Sequence, residues 1–267
     1  MNDTSGASYA FDNASEESKV QMAQLQAFLD PLTFACFSDL GVEAGARCLE
    51  LGAGGGSAAH WLADRVGPDG EVVAVDIDPG HVASAENLKV LRHDIRDGVP
   101  DGGFDLIHAR LVLMHIPERR EVLGALVEAL RPGGWLVVGE FSPDCMRVIS
   151  SRRQADADLH AKIVYTLREG MSKQHGMNTD WAYEAHDAML REGLRPVHSA
   201  EHAESWTGGS GGALLFRSNS RALQSTLLNL GVTREEIERY GELMLDPEFC
   251  ARSLQFVNTW GRKTAAS

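Results

Sequence analysis

The chain has 267 residues, a mass of 29.0 kDa, a formal charge of −13 and a pI near 5.2. That length can bury a full core in one α/β domain, and the acidity argues against a nucleic-acid partner, since phosphate neutralisation needs clustered Lys and Arg. No stretch approaches the roughly 18 apolar residues of a membrane helix, and the polar N-terminus does not read as a signal peptide, so a membrane is not an expected partner and the expected setting is the cytosol. Cys36, Cys48, Cys145 and Cys250 are scattered without disulfide or metal spacing, so no metal site is expected.

In chain order, residues 1 to 8 are small and polar. Asn13 with Glu16 three residues on reads as a capping box, and Tyr9 and Phe11 just before it either line a pocket mouth or form a hydrophobic staple. Leu25, Phe28, Leu29 and Leu32 recur with helical spacing, and Asp30-Pro31 reads as the N-cap and first residue of a second short helix ending near Gly41. Next comes the stretch around which the rest is arranged, Arg47 to Asp76. A short apolar run, Cys48 to Leu51, meets Gly52, Gly54, Gly55 and Gly56. A helical segment from Ser57 to Val66 follows, then the turn Gly67-Pro68-Asp69-Gly70 and a second strand closing on Asp76. Strand, glycine loop, helix, strand and acid form the opening of a nucleotide-binding α/β unit, because glycine lets backbone approach a ligand and take positive φ.

The spacing refines this. The dinucleotide pattern G-x-G-x-x-G places its third glycine where this chain has Ser57, and no Tyr-x-x-x-Lys pair is present, so an NAD-dependent oxidoreductase is the weaker reading. What fits is G-x-G-x-G at Gly52, Gly54 and Gly56, with Glu50 two residues earlier. This resembles the first motif of the class I S-adenosylmethionine (SAM) dependent methyltransferases. The resemblance continues through Asp76, Asp94 past the third strand (Leu88 to Arg92), the strand Phe104-Asp105-Leu106-Ile107-His108-Ala109 and the run Leu130-Arg131-Pro132-Gly133-Gly134-Trp135-Leu136-Val137-Val138. It covers about a third of the chain.

The resemblance implies a Rossmann-like, seven-stranded doubly wound sheet of order 3-2-1-4-5-7-6 with an antiparallel last strand. It implies an N-terminal helical arm over residues 1–41, a cofactor-binding core over 42–145, and lid helices with the final strands over 146–267. It implies SAM as cofactor, held by Glu50, Gly52, Ala53 and Gly54 in the loop. Asp76 would hold the ribose, Ile77 the adenine face, Asp94 and Ile95 the adenine edge, and Ala109 and Arg110 would lie along the methionine part.

Beyond Phe141 the chain carries Met146 to His175 as a helix, a helix from Trp181 to Arg191, and a strand-like run Leu194 to Ser205. A glycine run at 208 to 212 reads as a hinge, followed by helices from Ala213 to Leu230 and Thr233 to Leu245 and a last strand from Ser253 to Trp260. Met171, His175, Met177, Trp181, Trp206, Phe216 and Met244 give these insertions a composition suited to a flat apolar substrate, or to the insertions' own core. Histidine is the natural base near pH 7. His115 and His108, around the end of the fourth strand, and His175 in the first insertion are therefore the candidate catalytic residues, each weighed against a structural role. The expected function is methyl transfer to a small, aromatic or apolar natural product on O, N or C, by a monomer or homodimer. The alternative is a SAM-binding protein that transfers no methyl group.

Overall fold

The computed structural model describes residues 16–143 and 146–264. Along the chain lie α1 (Glu16–Asp39), β1 (Arg47–Leu51), α2 (Ser57–Val66), β2 (Glu71–Asp76), β3 (Leu88–Arg92), β4 (Phe104–Arg110), α3 (Arg119–Ala129), β5 (Leu130–Ser142) and β6 (Val148–Ser150). Then follow α4 (Gln154–His175), α5 (Trp181–Arg191), β7 (Val197–His202), β8 (Ser205–Thr207), α6 (Gly211–Ala222), α7 (Gln224–Asn229), α8 (Arg234–Leu243), β9 (Cys250–Arg252) and β10 (Gln255–Arg262). The sequence divides into two compact units. Among the described residues, one holds Leu29–Phe141, Asp180–Glu201 and 256–264; the other holds 16–28, Ser142–Thr179 and His202–Gln255. β5 and β10 pair in one sheet although 112 residues of chain separate them.

The larger unit is built on a seven-stranded sheet of order β3-β2-β1-β4-β5-β10-β7, which is the expected 3-2-1-4-5-7-6 once its strands are counted alone. β1, β2, β3, β4 and β5 run parallel. β10 runs against them: Gly133 N–H donates to Lys263 C=O and Lys263 N–H to Gly134 C=O, while Phe256, at the other end of β10, lies at Gly139. Strands covered on both faces are near-continuously apolar, and β1 and β2 each bury four consecutive residues. Phe37, Leu62, Val66, Val72, Ala74 and Leu106 form the core between the sheet and the helices α1 and α2. The Lys263 ammonium caps α3, donating to the carbonyls of Val127, Glu128 and Leu130, where a cation meets the negative helix end.

The smaller unit contains α4, α6, α7 and α8 with a three-stranded sheet of order β6-β9-β8 that the sequence reading missed. Its strands have three residues each, too few for an alternating pattern to register. The helix expected from Met146 therefore starts at Gln154. The run Thr233-Arg-Glu-Glu, which reads from the sequence as a capping box, forms one at the head of α8, with Glu236 N–H donating to Thr233 Oγ1 at 3.2 Å and Thr233 N–H to Glu236 Oε2 at 2.9 Å.

Three further expectations are corrected. α1 runs unbroken through Pro31. The proline costs about 3 kcal/mol in a helix interior, but Thr33 and Phe37 beyond it are buried and Asp30 is held by other elements, so tertiary contact outweighs local preference. The segment from Ile77 to about Asn87, which reads from the sequence as a short helix, shrinks to the single turn Pro79–His81. The glycine run is a packed corner: a Cβ at Gly208 would lie 2.1 Å from the Asp246 carbonyl oxygen, and one at Gly212 would lie 1.8 Å from the Trp206 ring. Trp206, Phe216 and Met244 are 4%, 5% and 1% exposed in the core of this unit, and Trp181 is sealed in the larger one. These side chains pack their own units. The Asn13 cap, Tyr9, Phe11, Cys145 and the His175 side chain fall outside the described residues.

Candidate functional site

The carboxyl ends of β1, β2 and β4 meet at the glycine loop within the larger unit. Gly52, Gly54 and Gly56 all take positive φ (66°, 52° and 81°), which a side chain resists, so the loop can bend from β1 into α2. Gly52 and Ala53 N–H groups donate to the Val75 carbonyl, which ties the loop to the end of β2. A Cβ at Gly52 would lie 2.3 Å from Val112 Cγ2, so the turn after β4 forms the opposite wall. Gly56 leads directly into α2, whose first N–H groups make a positive end facing the loop.

Asp76 closes β2. Its Oδ2 accepts from Gly54 N–H and its Oδ1 from Asp78 N–H, both at 2.9 Å. Each carboxylate oxygen can take a further donor, and the side chain is half-buried beside Ile77, which is 50% exposed. A charged acceptor next to an uncovered apolar side chain fits a ribose and the face of an adenine. Asp94 caps the turn Ile95–Asp97, and its carboxylate is taken up by Arg96, through Nε at 3.0 Å and Nη2 at 2.6 Å. The Arg96 guanidinium holds the Asp94 carboxyl below the usual range. Ile95 is buried, as are Ala53 and Ala109.

Arg110 ends β4 on the α1 side. Its guanidinium contacts Asp30 Oδ1 at 2.9 Å and Thr33 Oγ1 at 3.0 Å, and Asp30 Oδ1 also accepts from Ser57 Oγ at 2.9 Å. A carboxylate is thus bound by an arginine and a hydroxyl at the head of α2, three residues beyond Gly54. Asp30, read from the sequence as a helix cap, belongs to this network instead.

The histidines separate. His108 is 1% exposed, its Nδ1 lies 2.7 Å from Glu50 Oε2, and its ring meets Phe37 edge-on at 4.8 Å. It is sealed within the sheet–helix core and is not placed to take a proton from a ligand. Glu50, 3% exposed, is its partner. His115 is half-buried in the turn Leu113–His115 after β4, at the carboxyl edge of the sheet.

Glu140 was missed. It is 1% exposed near the end of β5, its Oε1 accepts from Met114 N–H at 3.1 Å, and its Oε2 has no hydrogen-bond partner among the described residues. Burial pushes its carboxyl up to about 8, against the opposing N–H groups of Met114, Leu113 and Val112 and the charge of Arg119. The signal was a lone acid inside the apolar run Trp135 to Phe141. Among the described residues, no group of three or more His, Cys, Asp or Glu is arranged to hold a metal ion, and no helix is long and apolar enough to cross a membrane.

Among proteins of known type, the chain is 34% identical over 98 residues to the methyltransferase str2 of Strobilurus tenacellus, covering 36% of this chain and 35% of that protein. It is 30% identical over 122 residues to the ubiquinone/menaquinone biosynthesis C-methyltransferase UbiE of Hahella chejuensis, covering 41% and 49%. The chain thus spans half or less of the length of these relatives. In fold it is similar to the phosphoethanolamine N-methyltransferase 2 of Haemonchus contortus, solved with phosphomonomethylethanolamine and S-adenosylhomocysteine, with a TM-score of 0.58 at 13% identity over 97% of this chain and 61% of that one. The family model for a methyltransferase domain matches residues 23–211, which take in the whole glycine crevice. That match spans more than half of the chain, and the protein belongs to this family as a class I SAM-dependent methyltransferase.

Proposed function

We propose that the protein transfers a methyl group from SAM to a small apolar or aromatic acceptor of secondary metabolism. The observation that carries this reading is the glycine loop tied directly to the half-buried Asp76 carboxylate, with Ile77 uncovered beside it. When bound, SAM supplies an electrophilic methyl group on a sulfonium. The chain's own part is to hold and orient: Asp76 takes the ribose hydroxyls, Ile77 the adenine face, and the backbone of Gly52, Ala53 and Gly54 the close approach of the ligand. Arg110 and the head of α2 take the methionine carboxylate in the place where Asp30 now makes the same kinds of contact. Asp94 contributes less, because Arg96 already occupies most of its acceptor sites. Positioning of this kind is worth up to about 7–11 kcal/mol in a two-reactant displacement.

Where the acceptor must lose a proton, His115 is the base in this reading, since its ring sits in the turn at the carboxyl edge of β4. Calorimetry with SAM, S-adenosylhomocysteine and NAD tests the cofactor assignment. Tight NAD binding without a SAM signal would refute it. Formation of S-adenosylhomocysteine across a panel of phenol, amine and carbon acceptors then assigns the acceptor atom. SAM binding with no turnover on any of them would favour a protein that uses the cofactor without transferring methyl.

A further inference from the structure

The turn that follows β4 is held in an unusual shape from three sides. Leu111 takes φ +57°, a left-handed conformation that bulky side chains resist. Its N–H donates to Gly139 C=O at 2.8 Å, so β5 grips the turn at its first residue. Next along β5, Glu140 accepts the Met114 N–H, and Arg119 from α3 donates to the Leu113 carbonyl at 3.3 Å while facing Glu140 with its charge. Between these grips sits Val112, whose methyl group fills the space that a Cβ on Gly52 would need.

We infer that Glu140 is a positioning residue for the cofactor crevice: through the N–H groups of the 112–114 turn it presses Val112 against Gly52 and so fixes the width of the crevice. This rests on the assignment of that crevice to SAM. A buried carboxyl in an apolar strand is unfavourable, and a core role alone would be served by an apolar residue of similar size. What the carboxyl adds is an acceptor for backbone N–H groups that no strand or helix satisfies. The strain at Leu111 persists because the surrounding grips over-determine it.

The experiment uses the full chain and S-adenosylhomocysteine as probe, by titration calorimetry and by hydrogen exchange of the amides. In Glu140→Ala the turn loses its acceptor, so exchange at 112–114 should rise while that of 48–51 stays parental. The dissociation constant should then weaken by about tenfold or more, the loss expected of an orphaned buried donor. Glu140→Gln keeps an acceptor oxygen and should bind within about threefold of the parent. Val112→Ala leaves the grips intact and removes only the wall. It should weaken binding with parental exchange at 112–114, and it decides the matter if Glu140→Ala does not fold. Parental affinity in Glu140→Ala with a loosened turn, or in Val112→Ala, would overturn the inference. Equal weakening of the Gln and Ala variants would overturn it too, since the acceptor oxygen would then be irrelevant. A parent that binds no S-adenosylhomocysteine would instead refute the cofactor assignment.

Discussion

Gly52→Ala isolates the geometry of the crevice. Alanine at φ +66° costs about 1–2 kcal/mol, and its Cβ, 2.3 Å from Val112 Cγ2, adds an overpacking cost of about 1–3 kcal/mol. The sum, about 2–5 kcal/mol, is below the 5–15 kcal/mol typical of folded proteins, so the variant should fold, less stably, with its S-adenosylhomocysteine binding lost. The two parts can be separated. The ideal Cβ lies 3.5 Å from Val112 Cβ, an ordinary contact, so Val112→Ala should relieve the collision and leave the φ cost. In urea unfolding followed by circular dichroism, the double variant should be more stable than the sum of the single effects by about 1–3 kcal/mol, the size of a direct steric coupling. Additivity within about 0.5 kcal/mol would refute the placement of Val112 against the loop, and the crevice built on it.

Asp76→Ala should weaken SAM binding by about 1.5–3 kcal/mol, because it removes a charged acceptor, and Asp94→Ala by less; calorimetry that finds both variants parental would misplace the cofactor. Glu140 titrates at about 8 in the fold against 4.5 in the open chain. The folded state therefore binds the extra proton between those values, and its stability contribution, full below about 4.5, is lost as pH rises to about 8, with a slope of at most ~1.4 kcal/mol per pH unit. Glu140→Gln should flatten the fall in unfolding free energy between pH 5 and 8, with Arg119 the charged group facing the site; an unchanged pH profile would show the carboxyl to be ionised throughout. Gly212→Ala should destabilise the smaller unit, since the Trp206 ring occupies the Cβ position; a mobile hinge would instead gain from the roughly 1 kcal/mol helix preference of alanine, so a rise in melting temperature would restore the hinge.

What was legible in the sequence was local. The glycine loop declares itself because Gly52, Gly54 and Gly56 need positive φ within five residues of β1, and Asp76 lies one strand away. The sheet order followed from resemblance, and the structure has it. What was not legible is contact at long separation. Asp30 satisfies the local grammar of a helix cap before proline, yet its partner Arg110 lies 80 residues on. Glu140 reaches back 26 residues to a backbone N–H, which has no side-chain signature at all. The glycine run at 208–212 has the composition of a flexible bend, and only the positions of Trp206 and Asp246 reveal that glycine is there because nothing larger fits.

The three acids at the carboxyl end of the sheet show why residue type alone could not rank the site. Glu50, Asp76 and Glu140 stand on β1, β2 and β5, and each must offset the cost of removing a carboxylate from water. Glu50 does so with the His108 ring inside the core, 2.7 Å away, and both are sealed. Glu140 does so with backbone N–H groups of the neighbouring turn and keeps one oxygen without a partner. Only Asp76 remains half-buried, with each oxygen taking one N–H and keeping room for another donor. On the proposed reading Glu50 supports the packing of β1 against β4, while Asp76, half-buried and with room for further donors, meets the ligand. A charge-neutral Glu50→Gln should on this argument disturb the His108 contact and the fold, and Asp76→Asn the affinity. The difference lies in what surrounds each carboxyl, since the side chains themselves are nearly the same.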